Sequence, residues 1–91
     1  MESIHLEIRG RVQGVGFRWF VVERARRLGL AGWVKNRADG NVEVAAAGDL
    51  AALELLEAAV AAGPAAAEVQ HVEKLETVPA DSLRTPFAIA R

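Results

Sequence analysis

Gly10-Arg11-Val12-Gln13-Gly14-Val15-Gly16-Phe17-Arg18 stands between two segments of different periodicity. Before it, Ile4, Leu6 and Ile8 alternate with His5, Glu7 and Arg9, the period-two pattern of a half-buried strand. After it, Phe17, Phe20, Val21, Ala25 and Leu28 fall on one face of a helix that Gly29 stops. The two closely spaced glycines let the backbone fold tightly and turn several N–H groups inward. The helix that follows adds the positive end of its dipole. Arg18 places a planar guanidinium at that same end. Backbone donors, a helix start and one arginine make a cradle for a tetrahedral oxyanion, a phosphate above all.

Outward from this loop the chain reads as a strict alternation of elements. Leu30 to Lys35 is a short apolar strand containing Trp33, and Asn36 to Asn41 is a turn with Asp39-Gly40 as its hairpin signal. Val42, Val44 and Ala46 mark the return strand. A second helix opens at Gly48-Asp49, with Asp49 in the N-cap role, and is expected to pack through Leu50, Leu53, Leu56 and Val60. Gly63-Pro64 ends it. The fourth strand runs from Glu68 to about Thr77, and its apolar positions change parity between Val69 and Val72, which predicts a bulge. A polar loop, Pro79 to Pro86, leads to Phe87 and Ile89 on a closing strand. Strand, helix, strand, strand, helix, strand is the split βαβ plan: an α+β, ferredoxin-like two-layer sandwich with two helices on one face of a mainly antiparallel sheet. Phe20 and Trp33 are assigned to the core, and His5 and His71 to exposed strand positions.

The 91 residues allow one domain, residues 1–91, with one modest core. Hydrophobic residues make up 52%, enough to favour a folded chain. The absence of cysteine removes disulfide and thiol chemistry. No apolar run is long enough to span a bilayer, and Met1-Glu2-Ser3 leads straight into a strand pattern, so a cytoplasmic protein without a membrane partner is expected. Residues 1–37 carry eight Lys or Arg against three Glu, whereas residues 38–91 carry three against nine Asp or Glu. The basic half holds the glycine loop, which suits an anionic ligand. The overall charge of −1 is far from that of a dedicated nucleic-acid binder.

Gly10-Arg-Val-Gln-Gly-Val-Gly-Phe-Arg18, then Leu28-Gly-Leu-Ala-Gly-Trp-Val-Lys-Asn36, then Asp39-Gly-Asn-Val-Glu43 strongly resemble the acylphosphatase family. Gly48, Gly63-Pro64 with Ala67 and Val69, and Phe87-Ala88-Ile89 continue the match, so the similarity covers nearly the whole chain in one register. The resemblance implies a hydrolase that cleaves carboxyl phosphates to a carboxylate and inorganic phosphate, with no metal, no cofactor and no phosphoenzyme. It implies that Arg18 binds the phosphate and that Asn36 holds the attacking water. Val15-Gly16-Phe17 replaces the doubled aromatic of some members, and the Pro79–Pro86 loop carries no family motif.

The residues themselves are compatible with that chemistry. A carboxylate leaves without being protonated, so no general acid is needed, and positioning with charge stabilisation dominates. Arg18 can grip two phosphate oxygens through its fork, while the N–H groups of Gln13, Gly14, Val15, Gly16, Phe17 and Arg18 complete the shell. Little beyond the phosphate needs to be read, so broad acyl tolerance and a monomer acting on a small acyl phosphate are expected. The alternative is a non-catalytic phosphate- or RNA-binding module of the same fold. An RNA binder calls for exposed aromatics on the central strands, where this sequence has Ile4, Leu6, Ile8, Val42 and Val44.

Overall fold

The computed structural model describes residues 1–91 and turns each periodic segment into the element its pattern dictates. The order is β1 (Glu2–Arg11), α1 (Phe17–Arg27), β2 (Ala31–Asn36), β3 (Val42–Gly48), α2 (Leu50–Ala62), β4 (Glu68–Lys74), a 3₁₀ turn (Ala80–Ser82) and β5 (Ala88–Ile89). The strands form one sheet in the order β4-β1-β3-β2-β5. β1 and β2 both run antiparallel to β3, and therefore parallel to one another, as a helical crossover requires. The carboxyl ends of β1 and β2 consequently lie at the same edge of the sheet. β5 joins β2 in parallel.

Local chemistry explains the boundaries. Leu30 N–H bonds to Ala25 O at 3.0 Å and Gly29 N–H to Arg26 O at 3.1 Å, a Schellman stop for α1 with Gly29 at φ 71°. Leu30 is thus the apolar residue that seals this cap, and β2 begins one residue later than the expected Leu30. Asp49 occupies the N-cap of α2, yet its side chain makes no capping bond. The bulge expected between Val69 and Val72 is present: Gly10 faces Val69 and Arg9 faces His71, which leaves Gln70 as the extra residue.

The helix-side face of the sheet carries the main core, where Leu6 meets Val44 and Ile8 meets Val42 under Phe17, Val21, Leu53 and Leu56, all fully buried. Phe20 packs on this core as a partly buried residue. Trp33 does not. It stands on the opposite face with Ala31, Ala45 and Ala47, where Leu83 of the Pro79–Pro86 segment closes over it. The strap is pinned by Ser3 Oγ donating to Val78 O at 2.7 Å and Gly32 N–H donating to Arg84 O at 2.9 Å. Three alanines on neighbouring strands make the shallow bed that this strap fills. Two further expectations change. Leu50, in the first turn of α2 at the margin of the sheet, is 54% exposed, and Leu53, Leu56 and Val60 alone bury that helix. His5 is half-buried, because the chain just after β4 and the side chains beside it cover it: Nδ1 meets Glu76 O at 3.0 Å, Nε2 meets the Glu43 carboxylate and the ring stands edge-on to Trp33. His71 is exposed, as expected.

Candidate active site

β1 delivers the chain into the loop through Gly10, whose missing side chain matters: a Cβ there would sit 2.1 Å from Glu68 O. Beyond it, Gly14 has φ 75° and Gly16 φ 77°, while no other residue type has positive φ. The sign of φ therefore alternates through Gln13–Phe17, the arrangement that turns successive N–H groups toward one concave face. A Cβ on Gly14 or Gly16 would meet nothing within 4 Å. These glycines are needed for their dihedrals, and the face they leave is open. No backbone N–H from Gln13 to Trp19 has an acceptor within the chain, the first helical bond being Phe20 N–H to Gly16 O at 3.0 Å. Seven consecutive donors, three of them in the first turn of α1, are thus left without an acceptor in the chain.

Arg18 follows as the second residue of α1, half-buried and without an ion pair or hydrogen bond inside the chain. Asn36 is the last residue of β2 and shares the helix-side face with Val34 by alternation. Its Oδ1 is the one buried side-chain polar atom that has no hydrogen-bond partner. Buried polar atoms are nearly always satisfied, so such an atom marks a place where function competes with stability. Arg18 and Asn36 line one cleft of about 730 Å³, together with Trp19, Val22 and Arg26 of α1 and Ala88–Arg91. The parallel run of β1 and β2 is what brings the two residues together: the loop leaves β1 at the edge where β2 ends.

The turn after Asn36 is clamped from two sides. On the loop side, Gln13 Nε2 donates to Arg37 O and to Asn41 O, both at 2.9 Å. On the outer face, Glu7 and Glu43 stand directly opposite each other in the β1–β3 register, only 7% and 9% exposed. Arg37 reaches both, with Nε 3.4 Å from Glu7 and Nη1 3.4 Å from Glu43. Asn41 Nδ2 donates to Glu7 at 2.8 Å, and Lys35 Nζ lies 3.8 Å from Glu43. Asp39 closes the turn: its carboxylate accepts from Asn41 N–H at 3.0 Å and from Arg37 Nε at 3.2 Å. The Asn41 amide, and then Arg37, hold the Asp39 carboxyl below the usual range; Asp39, with Glu7 and Glu43 behind it, raises Arg37.

Sequence reasoning named the amides of Gln13–Arg18 with Arg18 and Asn36; of these, Arg18 and Asn36 line the cleft, whereas Gln13, Gly14, Val15, Gly16 and Phe17 do not. It missed the side chain of Gln13, the Arg37 cluster and Trp19. Alternation does place Glu7, Arg9, Lys35 and Glu43 on one face, but which acid faces which base depends on strand register, which alternation leaves free. No group of three His, Cys, Asp or Glu stands together in a way that could hold a metal ion. No helix is long and apolar enough to cross a membrane.

The family model for Acylphosphatase matches residues 4–89. The acylphosphatase of Koribacter versatilis is 51% identical over 78 residues, which are 86% of this chain and 71% of that protein. The crystal structure of acylphosphatase from Bacillus subtilis superposes with a TM-score of 0.92 at 40% identity, covering 100% of both chains. The structure of T. kodakarensis HypF matches the whole chain with a TM-score of 0.84 at 32% identity, over 12% of that larger protein. The split βαβ fold and these likenesses lead to one conclusion: the chain belongs to the acylphosphatase family and is a hydrolase acting on acyl phosphates.

Proposed function

We propose that the phosphoryl group of the acyl phosphate is held by Arg18 and the N–H groups of Gln13, Gly14, Val15, Gly16, Phe17 and Arg18, and that Asn36 orients the attacking water. The observation that carries this reading is the meeting of Arg18 and Asn36 in one cleft beside donors without acceptors. The water oxygen forms a bond to phosphorus as the bond from phosphorus to the acyl oxygen breaks. The electron pair of that bond leaves with the carboxylate, which needs no proton. The water's proton passes to a phosphoryl oxygen of the substrate, because the neutral amide of Asn36 is a poor base.

The titratable groups nearby support this assignment. Neither histidine lines the cleft. Asp39 and Glu43, in the adjoining hollow, are both engaged by Arg37. Catalysis then rests on placing the reactants and on donors aimed at the developing charge. All the groups involved come from one chain, so a monomer acting on a small molecule suffices.

The test is hydrolysis of benzoyl phosphate beside a phosphomonoester control. Turnover of the first alone, with competitive inhibition by inorganic phosphate, is expected. Arg18→Lys keeps the charge and loses the fork, and should lower kcat/KM by about 10²–10³-fold, the scale of an oxyanion donor. Asn36→Ala should lower kcat while leaving phosphate inhibition in place. Full activity in Arg18→Lys overturns the bidentate grip, and full activity in Asn36→Ala overturns the orientation of water by that amide.

A further inference from the structure

The cleft is larger than a phosphoryl group requires. At about 730 Å³ it falls in the range of sites that take up whole small molecules. Its composition is one-sided. Arg18, Arg26 and Arg91 line it, and no acidic side chain does. None of the three cleft arginines is within 4.0 Å of a carboxylate; outside the cleft Arg9, Arg27 and Arg37 have such a partner, and Arg11, Arg24 and Arg84 do not. Arg26 is also fixed in place, its Nε donating to Phe87 O at 2.8 Å, which leaves the terminal nitrogens of its fork free. Beside these cations Trp19 is 67% exposed, on the helix stripe that continues through Val22 to Arg26. An exposed indole next to unpaired guanidiniums is a flat apolar platform with a cationic border.

We infer that the acyl group of the preferred substrates carries a second anionic group, met by Arg26 and Arg91, on a body that lies against Trp19. This rests on the placement of the phosphoryl group at Arg18. If one arginine serves the phosphoryl group, the other two leave guanidinium charge in a shared cleft that no acidic side chain lines, although Arg91 also borders the hollow of Asp39 and Glu43, and an anion there relieves the repulsion between them. Acyl tolerance is then broad in shape and selective in charge.

The experiment compares kcat/KM of the full chain for three rigid substrates: benzoyl phosphate, 4-carboxybenzoyl phosphate and 4-(trimethylammonio)benzoyl phosphate. The expected order is anionic above neutral above cationic. The carboxylated substrate should lead the neutral one by roughly fivefold or more at low salt, the scale of one or two well-placed partly exposed ion pairs. That lead should shrink as salt rises from about 20 mM to about 300 mM. Arg91→Gln should reduce the anionic-to-neutral ratio, and Arg91→Glu should bring it below one. Arg91 makes no hydrogen bond or ion pair in the fold, so these variants keep the test sound even if Arg26→Gln, which loses the Phe87 contact, unfolds. Equal kcat/KM for the anionic and neutral substrates in the wild type overturns the inference. So does a ratio that neither Arg91 variant changes. In both cases benzoyl phosphate hydrolysis still leaves the assignment of Arg18 standing. Turnover of neither substrate overturns the phosphoryl site itself and the inference with it.

Discussion

Gln13→Ala separates positioning from binding in this site. The Gln13 side chain contributes two bonds of 2.9 Å, to Arg37 O and Asn41 O. Each carbonyl has a second partner: Arg37 O accepts from Gly40 N–H at 3.2 Å, and Asn41 O from Arg37 N–H at 2.8 Å. Truncation therefore strands neither oxygen, and the loss is the net value of two bonds, about 1 kcal/mol each or about 2 kcal/mol in all. In a domain of this size that lowers Tm by roughly 8–16 °C. The catalytic effect should be of another kind. Asn36 immediately precedes the tethered Arg37, and a shift of about 1 Å in a reacting group can cost 10²-fold. Benzoyl phosphate hydrolysis should show kcat reduced by about 10–100-fold, measured well below the lowered Tm. The inhibition constant of inorganic phosphate should stay within about threefold, since the amide ring and Arg18 are untouched. A variant with the expected drop in Tm but unchanged kcat would refute the positioning role. Parallel losses of kcat and phosphate affinity would mean that Gln13 shapes the cradle and not the distance to Asn36.

Three other expectations follow from the geometry. Gly32→Ala should destabilise the domain by roughly 3 kcal/mol or more, read from the denaturation midpoint, because its Cβ at φ 137° would lie 2.0 Å from Ala45 O. The folded-state pKa of Asp39 lies below its unfolded value, so its stabilising contribution is complete above about pH 5 and is lost as pH falls through the folded value, below about pH 4. Asp39→Asn should accordingly lose less stability than the wild type between those conditions and about pH 2, in chemical denaturation series. Turnover should survive dialysis against a strong chelator, and loss restored by one divalent ion would count against a reaction in which Arg18 and the loop amides alone stabilise the phosphoryl charge.

Much of this site is legible in the sequence because its parts are local. Gly14 and Gly16 two residues apart, followed by a helical stripe, specify a loop in which the sign of φ alternates before the helix begins. The parity change between Val69 and Val72 specifies a bulge, since one extra residue reverses side-chain alternation. Trp33 shows where such local reading stops. In β2 both faces offer apolar residues, Ala31 and Trp33 on one and Val34 on the other, so alternation cannot say which face meets the helices. The answer is supplied by the strap from Val78 to Leu83, more than forty residues later, whose polar composition hides a buried Leu83. The tether from Gln13 is hidden for the same reason: it joins a loop to a hairpin turn 24 residues away through a side chain that any surface could carry.

The opposed acids of the outer face also help to fix Asn36. Two nearly buried carboxylates facing each other across β1 and β3 repel, and either would be costly without compensation. Lys35, Arg9 and His5 each reach only one of them, whereas Arg37 reaches both. The residue after Asn36 is thus the one that makes the Glu7–Glu43 pair tolerable, and the pair in turn holds that residue against the sheet. Gln13 pulls on the same turn from the opposite side. Hydrogen bonds and charge converge on the backbone around Asn36, while in the neighbouring loop and the first turn of α1 seven amides are left without any acceptor in the chain. That asymmetry is what the proposed chemistry calls for: the group that aims the water must not move, and the donors that receive the phosphoryl oxygens must not already be occupied.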